Sequence, residues 1–176
     1  TPGGQQRQIT LADGTAVTLD TDTRLVTRFD GEHRRVELQQ GRAQFLVGVD
    51  PRPFAVHAGA GVVRDIGTTF QVSRLGKAVH VALLDGQVEV STDINGTARR
   101  SLLAPGEGLT VDETGAIGAP EPLDIARVQS WPKGDLVFRQ QRLDDLLAQM
   151  NRYSPQQVRL ADPELGALAV SGVFHV

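Results

Sequence analysis

A mainly β protein is what this sequence predicts: an antiparallel β-sandwich-like domain followed by a small α+β unit of βαβ type. Three observations carry that expectation. From residue 7 to about 111, apolar and polar residues alternate with period two, as half-buried strands do. Turn-forming Gly, Pro and Asp interrupt the alternation every ~8–12 residues. Only near the end does the period change. In LVFRQQRLDDLLAQMNRYSPQQVRL, residues 136–160, Leu143, Leu146, Leu147 and Met150 recur at helical spacing.

Ile9 and Leu11 lead into Ala12-Asp13-Gly14-Thr15, then Val17 and Leu19. Asp-Gly-Thr suits a type I turn with Gly14 left-handed in a bulge, which sets Ile9 opposite Val17. Arg24–Phe29 and Arg34–Gln39 form the next strands, separated by Asp30-Gly31. Gly41 opens a further strand, GRAQFLVGV, in which Ala43, Phe45, Val47 and Val49 share a face. Asp50-Pro51-Arg52-Pro53 breaks it and launches FAVHA. VVRDIGTTFQVS, residues 62–73, reads as one strand with Val62, Ile66, Thr68, Phe70 and Val72 on one face. Asp65, Gly67, Thr69 and Gln71 take the other face, and the glycine marks a bulge. In VHVALLDGQVEVS, a two-residue turn at Asp85-Gly86 pairs Leu83 with Val88 and Val81 with Val90. A β-solenoid is the competing architecture, ranked second because no fixed-period repeat is visible.

The all-β domain is therefore expected over 1–111. Residues 112–130 supply a turn-rich linker, DETGAIGAPEPLD, and a short helical segment on which Ile125, Val128 and Trp131 share a face. Residues 131–176 then hold strand DLVFR, a helix from about Leu143 to Arg152 stopped by Pro155, strand QVRL and a closing run, ALAVSGVF.

Composition excludes several functions. Eighteen Lys and Arg against 21 Asp and Glu leave a net charge of −3, which disfavours nucleic acid as a partner. The doublets Arg34-Arg35 and Arg99-Arg100 each point to opposite faces of a strand, so neither makes a patch by itself. Absence of cysteine removes disulfides, thiolate catalysis and cysteine-bound metal, and leaves the compartment open. No apolar stretch is long enough to span a bilayer and no signal peptide is visible. His33, His57, His80 and His175 lie at no metal-ligand spacing, so neither metal nor cofactor is expected. There is no phosphate-cradling loop and no nucleophile elbow. Asp144-Asp145 do not share a helix face and suit a helix N-terminus instead. The chain does not read as a turnover enzyme, and a small-ligand-binding sandwich lacks the aromatic-rich cleft it needs.

One bond has a chemistry of its own. In a distorted bulge the hydroxyl of Thr68 can attack the carbonyl of Gly67, converting the amide to an ester that water then cleaves. The step needs distortion of the peptide and a group to take the hydroxyl proton. A bulged strand, with Thr68 as a β-branched filler, is the simpler reading of the same residues.

Taken together and in order, these motifs resemble the periplasmic part of a FecR-type anti-sigma regulator of iron-uptake signalling: ITLADGTAVTLDTDTRL, RRVELQQGRAQFLV, PFAVHA, VRDIGTTFQV, VHVALLDGQVEV, LLAPGEGLTV, WPKGDLVFRQQRLDDLLAQMNRYS and VSGVF. The resemblance runs over nearly the whole chain. It implies a protein that crosses the inner membrane once and holds a sigma factor through a short cytoplasmic segment, both lying outside this sequence. It also implies a periplasmic part that receives the N-terminal signalling domain of a TonB-dependent outer-membrane transducer, and control by periplasmic proteases.

From Trp131 onward the chain resembles the short N-terminal domain of secretins and TonB-dependent receptors. One strand–helix–strand unit is complete where that domain continues with a second helix and strand. The transducer's domain is of the same type, so the two could join edge to edge. Asp135–Arg139 or Ala167–Phe174 offers the edge, with Leu136, Phe138, Val170, Val173 and Phe174 as partner-binding side chains. The plainer reading of each is packing beneath Leu143, Leu147 and Met150. The resemblance further implies self-cleavage at Gly67-Thr68, since some such regulators cut themselves at a Gly-Thr pair in this motif. The proton acceptor stays open, with His57 and His80 on neighbouring strands.

Overall fold

The computed structural model describes residues 1–176. Strand β1 (Arg7–Thr10) and strand β2 (Ala16–Leu19) form the expected hairpin, with Ile9 opposite Val17 and Gly14 at φ +85°. Strand β3 (Arg24–Phe29) pairs with β4 (Arg34–Leu46), a single strand where two were expected. β4 is bent at Gly41, φ +95°, and belongs to two layers of one curled sheet. Its first half pairs with β3 and β5 (Phe54–Ala58), its second with β2 and β7 (Thr69–Arg74).

The bend folds the end of β4 back towards its start, where the Arg34 guanidinium donates to the carbonyl of Gly48 at 3.0 Å. Val47–Pro53 is therefore long enough to launch β5 parallel to β4, a departure from the all-antiparallel expectation. β4 ends at Leu46, and Val49 is fully exposed rather than sharing the face of Phe45.

The remaining strands are β6 (Gly61–Asp65), β8 (Val79–Asp85), β9 (Val88–Ile94), β10 (Thr97–Leu103), β11 (Glu107–Val111) and β12 (Glu121–Pro122). One layer runs β10-β9-β6-β5-β4-β3, and the other continues from β4 through β7, β8 and β11 to β12, with β2 and β1 on its far side. Two sequence expectations change here. Residues 62–73 do not form one strand: β6 and β7 lie in different layers, joined by a corner at Ile66–Thr68. Nor do β8 and β9 make a hairpin. β8 lies between β7 and β11 and β9 between β6 and β10, so Asp85–Gln87 is a second corner stacked on the first. The N–H of Ile66 donates to the carbonyl of Gln87 at 3.1 Å, which ties the two corners together. At the first corner the alternation changes phase, so Val63, Thr68, Phe70 and Val72 are buried while Ile66 is exposed.

Between the layers, Val36, Val56, Val63 and Val90 form one cross-strand row, and Val17, Phe45, Phe70 and Leu83 form another. Phe45 meets Phe54 edge-on at 5.9 Å between ring centres, joining the two halves of the core. β-Branched and aromatic side chains at every second position make both rows possible.

The chain stays on the sheet after β11: β12 pairs with it, Val111 bridges Ile117, and the N–H of Gly118 donates to Thr110. Helix α1 (Ile125–Ser130) and a 3-10 turn (Trp131–Lys133) lead to β13 (Asp135–Arg142), helix α2 (Leu143–Asn151), a second 3-10 turn (Pro163–Ala167) and β14 (Ala169–His175). β13 and β14 form a separate antiparallel pair. The expected strand QVRL is loop, and β14 is the return strand. Trp131, Leu136, Phe138 and Leu146 make a small second core, flanked by Leu143, Leu147, Met150, Tyr153, Val170 and Phe174. No helix is long and apolar enough to cross a membrane.

Candidate functional site

Gly67 and Thr68 sit in the corner between β6 and β7. Gly67 has φ +86°, a conformation L-residues adopt only under strain. The Thr68 side chain is buried, and its hydroxyl donates to the carboxylate of Asp65. The Thr68 carbonyl accepts from the N–H of Val47 at 3.1 Å. On the opposing corner, a Cβ added to Gly86 would lie 2.3 Å from the Gly67 carbonyl oxygen. The peptide is thus held between the end of β4 and the β8–β9 corner.

Burial raises the Asp65 carboxyl above its ordinary value, against hydrogen bonds from the N–H groups of Gly67 and Ile66 and the charge of Arg34. The histidines named as possible proton acceptors are elsewhere in the register: His57 stands opposite Val62, and His80 opposite Ser73, with its Nδ1 2.9 Å from Thr110 Oγ1. Sequence reading set Asp65 and Thr68 on opposite faces of a strand. Their i,i+3 spacing was the signal of a turn, where an acidic side chain folds back on the residues that follow.

The five predicted partner-binding side chains divide. Leu136 and Phe138 are buried in the second core, and Val170 and Phe174 pack against it. Val173 points away, 55% exposed. β14 has β13 as its only strand neighbour, and along it Ala169, Ser171, Val173 and His175 are exposed in alternation.

Sequence reading missed a charged junction between the β layers and the C-terminal unit. The Asp20 side chain is fully buried; its carboxylate accepts from Arg42 at 2.7 Å, from the Tyr153 hydroxyl at 2.6 Å and from Arg152 at 3.5 Å. The Arg42 guanidinium also lies over the Trp131 ring at 4.2 Å. Trp131 Nε1 donates to Gln71 at 2.7 Å, and Gln71 in turn donates to the Val128 carbonyl at 2.8 Å. Gln6 donates to the Trp131 carbonyl at 2.7 Å. No local motif links Asp20 to residues 42, 152 and 153, and the alternation that turns Val17 and Leu19 inward gives no sign that Asp20 is buried as well.

The two arginine doublets also acquire company. Register places Arg28, Arg35, Ala55, Arg64 and Glu89 in one row across the outer face of the first layer, with Arg100 in the next row. One member of each doublet, Arg35 and Arg100, therefore lies on the same outer face, which also carries Glu37 and Glu89, the latter 4.0 Å from Arg64 and 3.8 Å from Arg100; pattern along a single strand could not show this.

Comparison with known proteins agrees with the motif order. The family described as FecR protein matches residues 1–89. Two crystal structures of a candidate anti-sigma factor from Parabacteroides distasonis ATCC 8503 are similar over 99% of this chain and 82% of theirs, at 26% and 27% identity with TM-scores of 0.76 and 0.75. No curated protein matches the chain.

Proposed function

This chain belongs to the FecR family, and from that premise we propose that it is the signal-receiving module of a transmembrane anti-sigma regulator. Family membership and the likeness to candidate anti-sigma factors support a regulatory role. In this reading the module lies in the periplasm, and its all-β part, expected over 1–111, is continued on the same sheet by Ile117 and β12. The unit over 131–176 docks the N-terminal signalling domain of a TonB-dependent transducer. Docking controls an iron-uptake sigma factor held by a cytoplasmic segment outside this sequence, by exposing the regulator to proteases.

The free edge of β14 carries the docking proposal. An extended partner strand could add to that edge through backbone hydrogen bonds, with Val173 giving side-chain choice. The test is calorimetric titration of the chain with the transducer's signalling domain. Val173→Asp should weaken binding about tenfold or more without moving the unfolding midpoint, because the side chain is outside the core. Unchanged affinity would move the docking site off β14, and no binding by the parent chain would reject this partner.

A second reading, self-cleavage at Gly67-Thr68, is favoured by the positive φ of Gly67 and the buried, hydrogen-bonded hydroxyl of Thr68. It can coexist with signal reception, since a cut made once is processing and not turnover. Intact mass of the purified chain tests it, with two fragments meeting at that bond as the expected result and a persistent single species as the refutation.

A further inference from the structure

We infer that Asp65 is the proton acceptor, and then the proton donor, for cleavage of the Gly67–Thr68 bond; the inference rests on the self-processing reading. Asp65 is the one hydrogen-bond partner of the Thr68 hydroxyl, and Thr68 is too buried for bulk water to take that role. The two residues meet only because the corner between the layers folds Asp65 back over Gly67.

The chemistry balances within these residues and one water. Asp65 takes the hydroxyl proton as Thr68 Oγ1 bonds to the Gly67 carbonyl carbon, and the carbonyl π electrons move to oxygen. Collapse of that intermediate breaks the Gly67–Thr68 C–N bond, and the leaving nitrogen takes the proton back from Asp65 to become an amine. The product is an ester between the Gly67 carbonyl and Thr68 Oγ1. Water adds to it and the C–Oγ1 bond breaks, leaving a carboxylate on Gly67 and a free hydroxyl and amino group on Thr68.

Two features of the corner serve this step. A carboxylate made more basic by burial is a better base than an exposed one, and Asp65 is held on the hydroxyl it would deprotonate. The Gly67 carbonyl must pyramidalise, and the missing side chain at Gly86 leaves space on the side its oxygen faces. The charged group acting on Asp65 is Arg34 at the start of β4, itself paired with Asp13 at 2.7 Å and Asp50 at 4.0 Å, while Asp85 stands opposite Thr69 on the other corner.

The test follows intact mass over time for the full chain and for Asp65→Asn, Asp65→Glu, Thr68→Ala and Thr68→Ser, between pH 4 and 9. The parent and Thr68→Ser should yield the two fragments, at a rate that rises with pH as Asp65 ionises and then levels. Thr68→Ala should yield none. Asp65→Asn should slow cleavage by about 10²-fold or more and lose the inflection, with or without hydroxylamine, which cleaves an ester once it has formed but does not assist its formation. Asp65→Glu should restore part of the rate. Cleavage of Asp65→Asn at the parental rate and pH profile would overturn the inference while leaving self-processing intact. Should Asp65→Asn fail to fold, a folded but uncleaved Asp65→Glu would overturn it equally. Absence of fragments from both parent and Thr68→Ser would reject the self-processing reading itself.

Discussion

Three glycines with similar backbone angles are expected to respond very differently to alanine. At Gly41 a Cβ would stand 2.4 Å from Thr23 Oγ1 and 2.6 Å from Thr23 Cα, so Gly41→Ala combines left-handed strain with a backbone clash. Gly86→Ala meets the Gly67 carbonyl oxygen at 2.3 Å and has the same two penalties. Each should lower stability in urea by about 3 kcal/mol. Gly14 has φ +85° but nothing within 4 Å of its Cβ position, so Gly14→Ala carries strain alone, about 1–2 kcal/mol. Equal losses at all three positions would refute the packing part of this account. The turn role of Gly14 was legible from Asp-Gly-Thr. The demands on Gly41 and Gly86 were not, because the atoms they must avoid lie on other strands.

At the scale of elements, α2 illustrates what periodicity records. Its inward residues Leu143, Leu146, Leu147 and Met150 were legible from spacing alone, and Leu146 is buried between the helix and β13. Leu146→Ala should destabilise the C-terminal unit by about 2–4 kcal/mol, seen as faster amide exchange along β13 and β14 while the valine row of the β layers keeps its protection. The β8–β9 segment shows the limit of the same signal. Val81, Leu83, Val88 and Val90 were identified correctly as inward residues, and all four are buried. Their pairing was wrong because alternation tells which face of a strand is covered, not which strand lies beside it. Asp-Gly with positive φ serves a corner between layers as well as a hairpin.

Across the whole molecule, the Asp20 junction decides how the C-terminal unit sits on the β layers. Removing its charge leaves Arg42 and Arg152 without their shared partner, so Asp20→Asn should cost about 3 kcal/mol. It should also loosen residues 131–176 first, read from Trp131 fluorescence unfolding ahead of the β-sheet circular dichroism signal. Tyr153 adds a pH dependence. Burial, and after it the charge of Asp20 and the hydrogen bond to it, outweigh Arg42 and push the phenol from 10.0 up to about 12. Folding therefore favours the neutral phenol: its contribution is complete below pH 10 and is lost as pH rises through about 12. The unfolding midpoint of the parent should fall more steeply across that window than that of Tyr153→Phe, and parallel curves would refute the role assigned to the phenol.

By itself the sequence determined the mainly β class, the inward face of most strands, the helix between Leu143 and Asn151, and the order of motifs that leads to the FecR family. These are consequences of local periodicity, turn chemistry and their succession along one chain. Tertiary structure alone decided that β4 serves two layers and that β14 and not QVRL completes the small sheet; it buried Leu136 and Phe138 in the second core, set Val170 and Phe174 against it and left Val173 exposed. It also brought Asp65 onto the Thr68 hydroxyl and gathered Asp20, Arg42, Arg152 and Tyr153 around one buried carboxylate. Strand pairing is a choice among neighbours distant in sequence, and a buried charge is tolerated only where such neighbours converge. Neither condition leaves a mark in the residues immediately beside it.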